Sequence, residues 1–323
     1  MMKLFGLEGT RDLASLVARH LDEVLASHEE RDFEDGEHKI RPLENVAGAD
    51  VYVVNSLHGG PVQSANDKLC RLLFFIGALK DAGAKRVTAV TPYLCYSRKD
   101  RRTKSFDPVT TRYVASMFEA VGTDAIVTLE VHNPAAFENA FRCRTVALTA
   151  IPLFVDRLQS MTLQTVCVVS PDAGGVKRAE LLRECLEAAL KRPAGKAFVE
   201  KHRSGGVVTG DIFVGDAKGA TALIFDDLIS SGTTLLRAAQ AAKDSGAKAV
   251  LAMASHGLFM EGSEAVVTHP AIDRLIVTDS VSRPRAALEA MSNKVEVLSC
   301  APLLADAIRR LHGDEPLSGL LAF

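Results

Sequence analysis

Apolar residues recur along this chain in two rhythms. Leu13, Leu16, Val17, Leu21, Val24 and Leu25 fall at three- and four-residue steps, so 13–25 reads as an amphipathic helix. Leu69, Leu72, Leu73, Ile76 and Leu79 give the same pattern across 65–82, and Gly83 supplies the stop expected at a helix C-terminus. Between such stretches lie short runs that read as buried strands: 50–55, 86–90, 125–131, 166–169, 222–225 and 271–278. A last helix is expected over 302–311, and the apolar stretch 317–323 reads as a docked tail. Strands alternating with helices predict an α/β fold with mainly parallel sheets flanked by helices.

The pattern also repeats. Lys80-Asp81-Ala82-Gly83-Ala84-Lys85-Arg86-Val87 matches Lys243-Asp244-Ser245-Gly246-Ala247-Lys248-Ala249-Val250, each a helix end, a glycine and a strand start. Such junctions are common enough to coincide by chance, but a duplicated α/β domain explains them directly. With 323 residues the chain has the length of two domains, and we expect them at 1–150 and 151–323. Hydrophobic content of 47% and charged content of 24% are those of a globular protein with ample core. A net charge of −2 points to no nucleic-acid or membrane-surface partner. The longest apolar run, near 72–79, is too short to cross a bilayer. The start, MMKLFGLEGT, has no signal-peptide pattern, and six scattered cysteines lack metal spacing, so we expect reduced thiols in a cytoplasmic protein.

Candidate chemistry centres on TALIFDDLISSGTTLL, 221–236. A short strand leads into Asp226 and Asp227, then a turn of small hydroxyl residues, Ser230, Ser231, Gly232, Thr233 and Thr234, then a helical pattern. A helix N-terminus with free N–H groups and a partial positive charge suits a phosphate. Carboxylates suit sugar hydroxyls or a hard cation. A strand end with ordinary N-cap residues would read the same way. Elsewhere, five cations crowd 98–104 after a strand end, which suits a polyanion or is a solvated charge run. Phe33-Glu34-Asp35-Gly36-Glu37 is a polar turn with one aromatic that could stack on a purine. His132 closes a strand, as structural histidines also do. Glycines of 170–178, SPDAGGVKR, sit where backbone approaches a ligand. Lys201 and Arg203 share one face of a predicted strand before Ser204-Gly205-Gly206.

FDDLISSGTT resembles the phosphoribosyl-binding loop of type I phosphoribosyltransferases and of ribose-phosphate pyrophosphokinases. SPDAGGVKRA, TPYLCYSRKDRR, FEDGE and LLADAIRR resemble the pyrophosphokinases alone, over nearly the whole chain. The resemblance implies two tandem type I phosphoribosyltransferase-like domains, an ATP side and a ribose 5-phosphate side. It implies transfer of diphosphate from Mg-ATP to ribose 5-phosphate. It places ATP on Phe33, Asp35, Glu37, Arg98, Lys99, Asp100 and His132. Ribose 5-phosphate would lie on Asp226, Asp227, Ser230, Ser231, Gly232, Thr233 and Thr234, with Mg²⁺ nearby. Mg²⁺ itself falls to His132 and Asp172, and stabilisation of the transferring phosphates to Lys201 and Arg203. It further implies a homo-oligomer, dimer or hexamer, with the FEDGE turn reaching a neighbouring subunit.

Two rivals stay open: a phosphoribosyltransferase that shares the loop, and a non-catalytic homologue of the synthetase. The departures from the pattern are specific. Ser230 stands where the pyrophosphokinases have a third aspartate, Glu130 where they have aspartate, and Lys99 where they have glutamine. Ala47, Pro134 and Phe137 stand where an arginine, a serine and a glutamine form the phosphate and ADP regulatory site of many synthetases. An enzyme without that regulation is expected.

Overall fold

The computed structural model describes residues 1–204, 207–282 and 293–321; the side chains of 201–204 and 207–211 lie outside the described residues. The chain forms two compact units. One comprises 1–149, 280–282 and 299–322, and the other 150–279 with the described part of 283–298.

In the first unit the elements run β1 (Met2–Gly6), α1 (Arg11–His20), β2 (His28–Asp32), β3 (His38–Pro42), β4 (Asp50–Val54), α2 (Ala65–Asp81), β5 (Arg86–Thr91), α3 (Thr110–Ala120), β6 (Ala125–Leu129), α4 (Pro134–Ala140) and β7 (Arg144–Leu148). β1, β4, β5, β6 and β7 form a five-stranded sheet in that order, with every pair parallel. All five residues of β4 and of β6 are buried, as expected of strands covered on both faces. The core gathers Phe5, Val51, Val53, Leu72, Phe75 and Ile76. The β2–β3 antiparallel hairpin stands apart from this sheet. Its strands were missed in the sequence because their residues, HEERD and HKIRP, are mostly charged.

In the second unit follow α5 (Ile151–Gln159), β8 (Val166–Ser170), α6 (Val176–Leu190), β9 (Gly195–Ser204), β10 (Val207–Gly215), β11 (Thr221–Ile229), α7 (Thr233–Asp244), β12 (Ala249–Gly257), α8 (Ser263–Val267), β13 (Arg274–Thr278) and β14 (Val295–Leu298). The seven-stranded sheet is ordered β10-β9-β8-β11-β12-β13-β14, parallel except for the β9–β10 hairpin. From β8 the chain first builds to one side, through β9 and β10, then returns to lay β11 on the other. The strand order therefore reverses between β8 and β11. Open α/β sheets bind ligands at such a reversal, outside the carboxyl ends of the strands.

The closing helix, α9 (Ala301–His312), lies with the first unit, packed on α1, and not in a domain of 151–323. Its apolar stripe, Leu303, Leu304, Ala307, Ile308 and Leu311, is buried. Polar bonds hold its end. Arg86 donates to Asp50 from Nε at 2.7 Å and to the Leu311 carbonyl at 2.9 Å, and His312 Nδ1 lies 2.7 Å from Asp50 Oδ2. The tail reaches β7, where the Thr149 N–H donates to the Leu320 carbonyl at 3.0 Å.

Helix α1 ends at His20, short of the expected 25, because Asp22 turns left-handed at φ 56° and Leu25 bridges to Leu4. β13 starts at Arg274, later than the expected 271. The largest difference is β11. Its pairing with β12 carries on through Asp226↔Ala254 to Ile229↔Gly257, so the acid pair lies inside the strand and not after it.

Candidate active site

On the other edge of β11, pairing with β8 stops at Ile224↔Val169. Asp226 and Asp227 thus lie on a strand paired on one side and free of β8 on the other. Asp227 is buried and Asp226 half-buried. The Asp227 N–H donates to Asp226 Oδ1 at 2.9 Å. Arg178, on α6, puts Nη1 3.3 Å from Asp226 Oδ1 and 3.7 Å from Asp227 Oδ1. Burial raises the Asp226 carboxyl above the usual carboxylate range, the Asp227 charge adds to this, and Arg178 opposes it.

The turn after β11 is fixed by backbone bonds. The Leu258 and Phe259 N–H groups donate to the Ile229 carbonyl at 2.9 and 3.1 Å, and that of Met260 to the Ser230 carbonyl at 3.0 Å. Gly232 then adopts φ 79°, and a Cβ there would lie 2.8 Å from Val266 Cγ1, so both conformation and space require glycine. It opens α7 with no side-chain cap bond. Ser231 and Thr233 stay exposed, their hydroxyls 3.2 Å apart. An uncapped twelve-residue helix flanked by hydroxyls offers an anion N–H donors and a partial positive charge.

Beside it, the loop after β8 leaves the same carboxyl edge. Asp172 Oδ1 accepts from the Gly174 and Gly175 N–H groups at 2.9 and 3.2 Å, and the Ser170 hydroxyl donates to the Asp172 carbonyl at 2.6 Å. A Cβ on Gly175 would lie 2.9 Å from Ser170 Oγ, so that close turn needs glycine. Lys201 and Arg203 stand on β9, and their side chains lie outside the described residues.

In the first unit the basic loop and the strand end that carries His132 meet. Asn133 caps α4, accepting from the Ala136 N–H at 3.2 Å, and its Nδ2 donates to Asp100 Oδ2 at 2.6 Å. His132 and Arg98 are exposed. Lys99 turns into its own loop, with Nζ 2.7 Å from Asp107 Oδ2. The same carboxylate accepts from Thr103 Oγ1 at 2.7 Å and from the Thr103 and Lys104 N–H groups at 3.0 Å. Lys99 first, then Thr103, hold the Asp107 carboxyl well below its ordinary range. Glu130 takes φ 43° and is buried, and its Oε2 accepts from Thr149 Oγ1 at 3.1 Å. The extra methylene relative to aspartate is thus directed to the neighbouring strand end.

Phe33, Asp35 and Glu37 form the tip of the β2–β3 hairpin. The Phe33 N–H donates to the Glu37 carbonyl at 2.8 Å, and that of Glu37 to Asp35 Oδ1 at 3.0 Å. The Phe33 ring is 41% exposed, and the Arg31 guanidinium sits 5.4 Å from its centroid. A partly exposed aromatic ring is a surface on which a flat heterocycle can stack.

Arg178, Asp107 and Asn133 carry this arrangement but had no role in the sequence reading. In the sequence Arg178 is only the last residue of SPDAGGVKR, where the glycines draw the attention. The other two look like ordinary loop polars until the fold sets them against their partners. Among the described residues no cluster of three histidines, cysteines or acids could hold a metal unaided. Mg²⁺ takes one or two carboxylates and completes its shell with substrate phosphates and water. Asp172 offers oxygen of the right kind; His132 offers a nitrogen, which suits Mg²⁺ less well.

An acid pair near the end of a strand, a hydroxyl turn and an uncapped helix start lie at a sheet reversal, beside a glycine turn capped by aspartate; together they define an α/β protein with a candidate anion site. The family model described as the N-terminal domain of ribose phosphate pyrophosphokinase matches residues 2–122, and the phosphoribosyl synthetase-associated domain matches 209–322. The ribose-phosphate pyrophosphokinase of Maricaulis maris is 37% identical over 322 residues, and that of Hyphomonas neptunium 35% over 321, each covering 99% of both chains. The crystal structure of phosphoribosylpyrophosphate synthetase from Mycobacterium smegmatis superposes with a TM-score of 0.88 at 31% identity, covering 97% of this chain and 99% of that one. The chain belongs to the ribose-phosphate pyrophosphokinase family.

Proposed function

We propose that this protein transfers diphosphate from Mg-ATP to the anomeric hydroxyl of ribose 5-phosphate, giving phosphoribosyl pyrophosphate and AMP. The observation that carries the reading is the uncapped N-terminus of α7, with its hydroxyl turn, beside the Asp226–Asp227 pair. A phosphate next to a diol needs these groups. Ser230, Ser231, Gly232, Thr233 and Thr234 take the 5-phosphate, and Asp226 and Asp227 accept from the ribose hydroxyls.

In the first unit, Phe33, Asp35 and Glu37 take the adenine, while Arg98, Asp100 and His132 face the triphosphate. Lys99 acts through the loop that Asp107 holds. The sugar hydroxyl oxygen attacks the β-phosphorus, the bond from that phosphorus to the α-phosphate oxygen breaks, and AMP leaves. The hydroxyl proton is released. Lys201 and Arg203 balance the charge that builds on the phosphates, and the rate comes from positioning and electrostatics without a covalent intermediate. Asp172 and His132 are each candidate ligands for Mg²⁺, which when bound would supply further charge neutralisation. The protein acts in the cytoplasm as a homo-oligomer, dimer or hexamer.

The test is direct. Incubation with Mg-ATP and ribose 5-phosphate is expected to yield AMP and phosphoribosyl pyrophosphate in equal amounts, and Lys201→Ala to cut the rate on the order of 10²-fold or more. Turnover of phosphoribosyl pyrophosphate with a nucleobase and no ATP would establish a phosphoribosyltransferase instead. No turnover of either kind would establish a non-catalytic homologue.

A further inference from the structure

We propose that Arg178 is the resident cation of the acid pair, and that it reserves Asp226 and Asp227 for sugar hydroxyls by keeping a divalent cation out. The proposal rests on the reading above for the identity of the sugar phosphate, but not for its test.

Successive side chains on a strand leave opposite faces, so neighbouring aspartates do not ordinarily converge on one partner. Here they do. A single guanidinium nitrogen lies 3.3 Å from one carboxylate and 3.7 Å from the other. The arginine comes from α6, which packs on both β8 and β11, and its side chain is 14% exposed. The approach is possible because β8 stops pairing at Ile224. The turn that starts α6 also runs close: a Cβ on Gly175 would lie 4.0 Å from Arg178 Nη1.

Two adjacent carboxylates with no cation would repel each other and attract a hard divalent ion. Guanidinium stays charged at any working pH and cannot be a metal ligand. Placed against both acids, it satisfies their charge and opposes a second cation in the same place. It does not block neutral donors, because each carboxylate accepts at several lone-pair positions. The pair is left able to accept hydroxyls and unsuited to a metal. Arg178 is in this sense a positioning residue that acts through Asp226 and Asp227.

The decisive measurement is Mn²⁺ binding to the nucleotide-free protein, by electron paramagnetic resonance. The Arg178→Gln variant is expected to bind one more Mn²⁺ per chain than the wild type, and Arg178→Gln/Asp227→Asn to lose it again. Arg178→Lys, which keeps the charge, is expected to match the wild type, and thermal melts of all variants show that the fold is intact. In steady-state assays Arg178→Gln is expected to raise KM for ribose 5-phosphate on the order of tenfold, with KM for ATP unchanged. An equal Mn²⁺ count in wild type and folded Arg178→Gln would overturn the proposal. So would a wild-type Mn²⁺ that Asp227→Asn removes. If the wild type makes no phosphoribosyl pyrophosphate, the functional reading fails while the Mn²⁺ comparison still decides the role of Arg178.

Discussion

The carboxyl ends of β4 and β11 hold the same place in a duplicated pattern, yet one is closed and the other open. Arg86 and Ala249 occupy one position of the repeat and pair with Asp50 and Thr221. Counting on from those partners, Asn55 and Ser56 correspond to Asp226 and Asp227. At the end of β4 the polar groups of Asn55 and Ser56 bond within the first unit. Thr10 Oγ1 donates to Asn55 Oδ1 at 3.2 Å, Asn55 Nδ2 to the Lys68 carbonyl at 3.2 Å, and the Ser56 N–H to Thr10 Oγ1 at 2.9 Å. Lys68 Nζ lies 3.2 Å from His58 Nε2, and both side chains are buried. The helix that follows caps itself: Asp67 accepts from the Ser64 N–H at 2.8 Å, and Ser64 Oγ from that of Asp67 at 3.2 Å. An anion of the chain's own thus serves the start of α2, whereas α7 begins at Gly232 with no side-chain cap. The difference teaches that a duplicated framework fixes where a site can be, while the residues at the strand end and helix start decide whether it is left open.

The strongest way to break this comparison is to change corresponding positions. Asp227→Asn is expected to lower kcat/KM for ribose 5-phosphate on the order of 10²–10³-fold, because a diol acceptor loses its charge. ATP affinity, read by calorimetry, is expected to stay as it is. Ser56→Ala, at the counterpart, is expected to leave both within about twofold, with its effect confined to stability. Equal losses of turnover in the two variants would mean that the β4 end takes part in the reaction.

A second measurement sharpens the contrast by asking what the closed end costs. Burial brings the Lys68 ammonium down to about 8 from its ordinary 10.5. Its folded value is depressed, so below about 8 the folded protein carries a buried charge that the unfolded chain solvates. That cost is relieved as pH rises from about 8 towards 10.5, where the unfolded chain still binds the proton and the folded one does not. Lys68→Met is therefore expected to be more stable than wild type at neutral pH by roughly 1–3 kcal/mol, with the margin shrinking above pH ~8. Denaturant melts of both proteins across that range measure it. A less stable variant with no pH trend would mean that the contact with His58 outweighs the desolvation.

Much of this was legible in the sequence, and for physical reasons. The strands β4, β6 and β8 are largely apolar runs, and burial on both faces of a parallel sheet writes itself as such a run. A strand, a turn and a helix around 221–236 were legible, because an apolar run, small hydroxyl residues with Gly232 and a helical apolar pattern mark them in turn. The β2–β3 hairpin was not, because its strands are charged and shielded by tertiary pairing more than by composition. Nor was the extent of β11, since Asp226 and Asp227 defy strand propensity and are held there by the partner strand. The docking of α9 on the first unit depends on Arg86, Asp50 and His312, residues far apart in sequence, and no local pattern joins them. Arg178 was hidden for the same reason: its meaning lies in distances to β11.

The smallest expected effect is an absence of response, and it extends the contrast to a third place in the first unit. The regulatory site that the resemblance assigns to an arginine, a serine and a glutamine falls here on Ala47, Pro134 and Phe137. Phe137 is 1% exposed and its ring lies 5.1 Å from that of Phe141, so the position is part of the core. Pro134 opens α4, where it can donate no N–H. Ala47 packs at the Gly83 corner, beside the bond from the Gly48 N–H to the Gly83 carbonyl at 2.8 Å. At Phe137 packing stands where a polar partner would have been, while Ala47 is exposed and Pro134 half-buried. An arginine gives phosphate forked, charge-assisted bonds that alanine cannot replace, and the other two positions offer no side-chain donor. The rate is therefore expected to stay within about twofold as inorganic phosphate rises at fixed ionic strength and free Mg²⁺, since no anion site remains to be filled. ADP is expected to compete at the ATP site alone, with its inhibition relieved fully by saturating ATP. A steep rise with phosphate, or inhibition that ATP leaves in place, would mean that other residues rebuild an anion site and that the apolar substitutions moved the regulation without removing it.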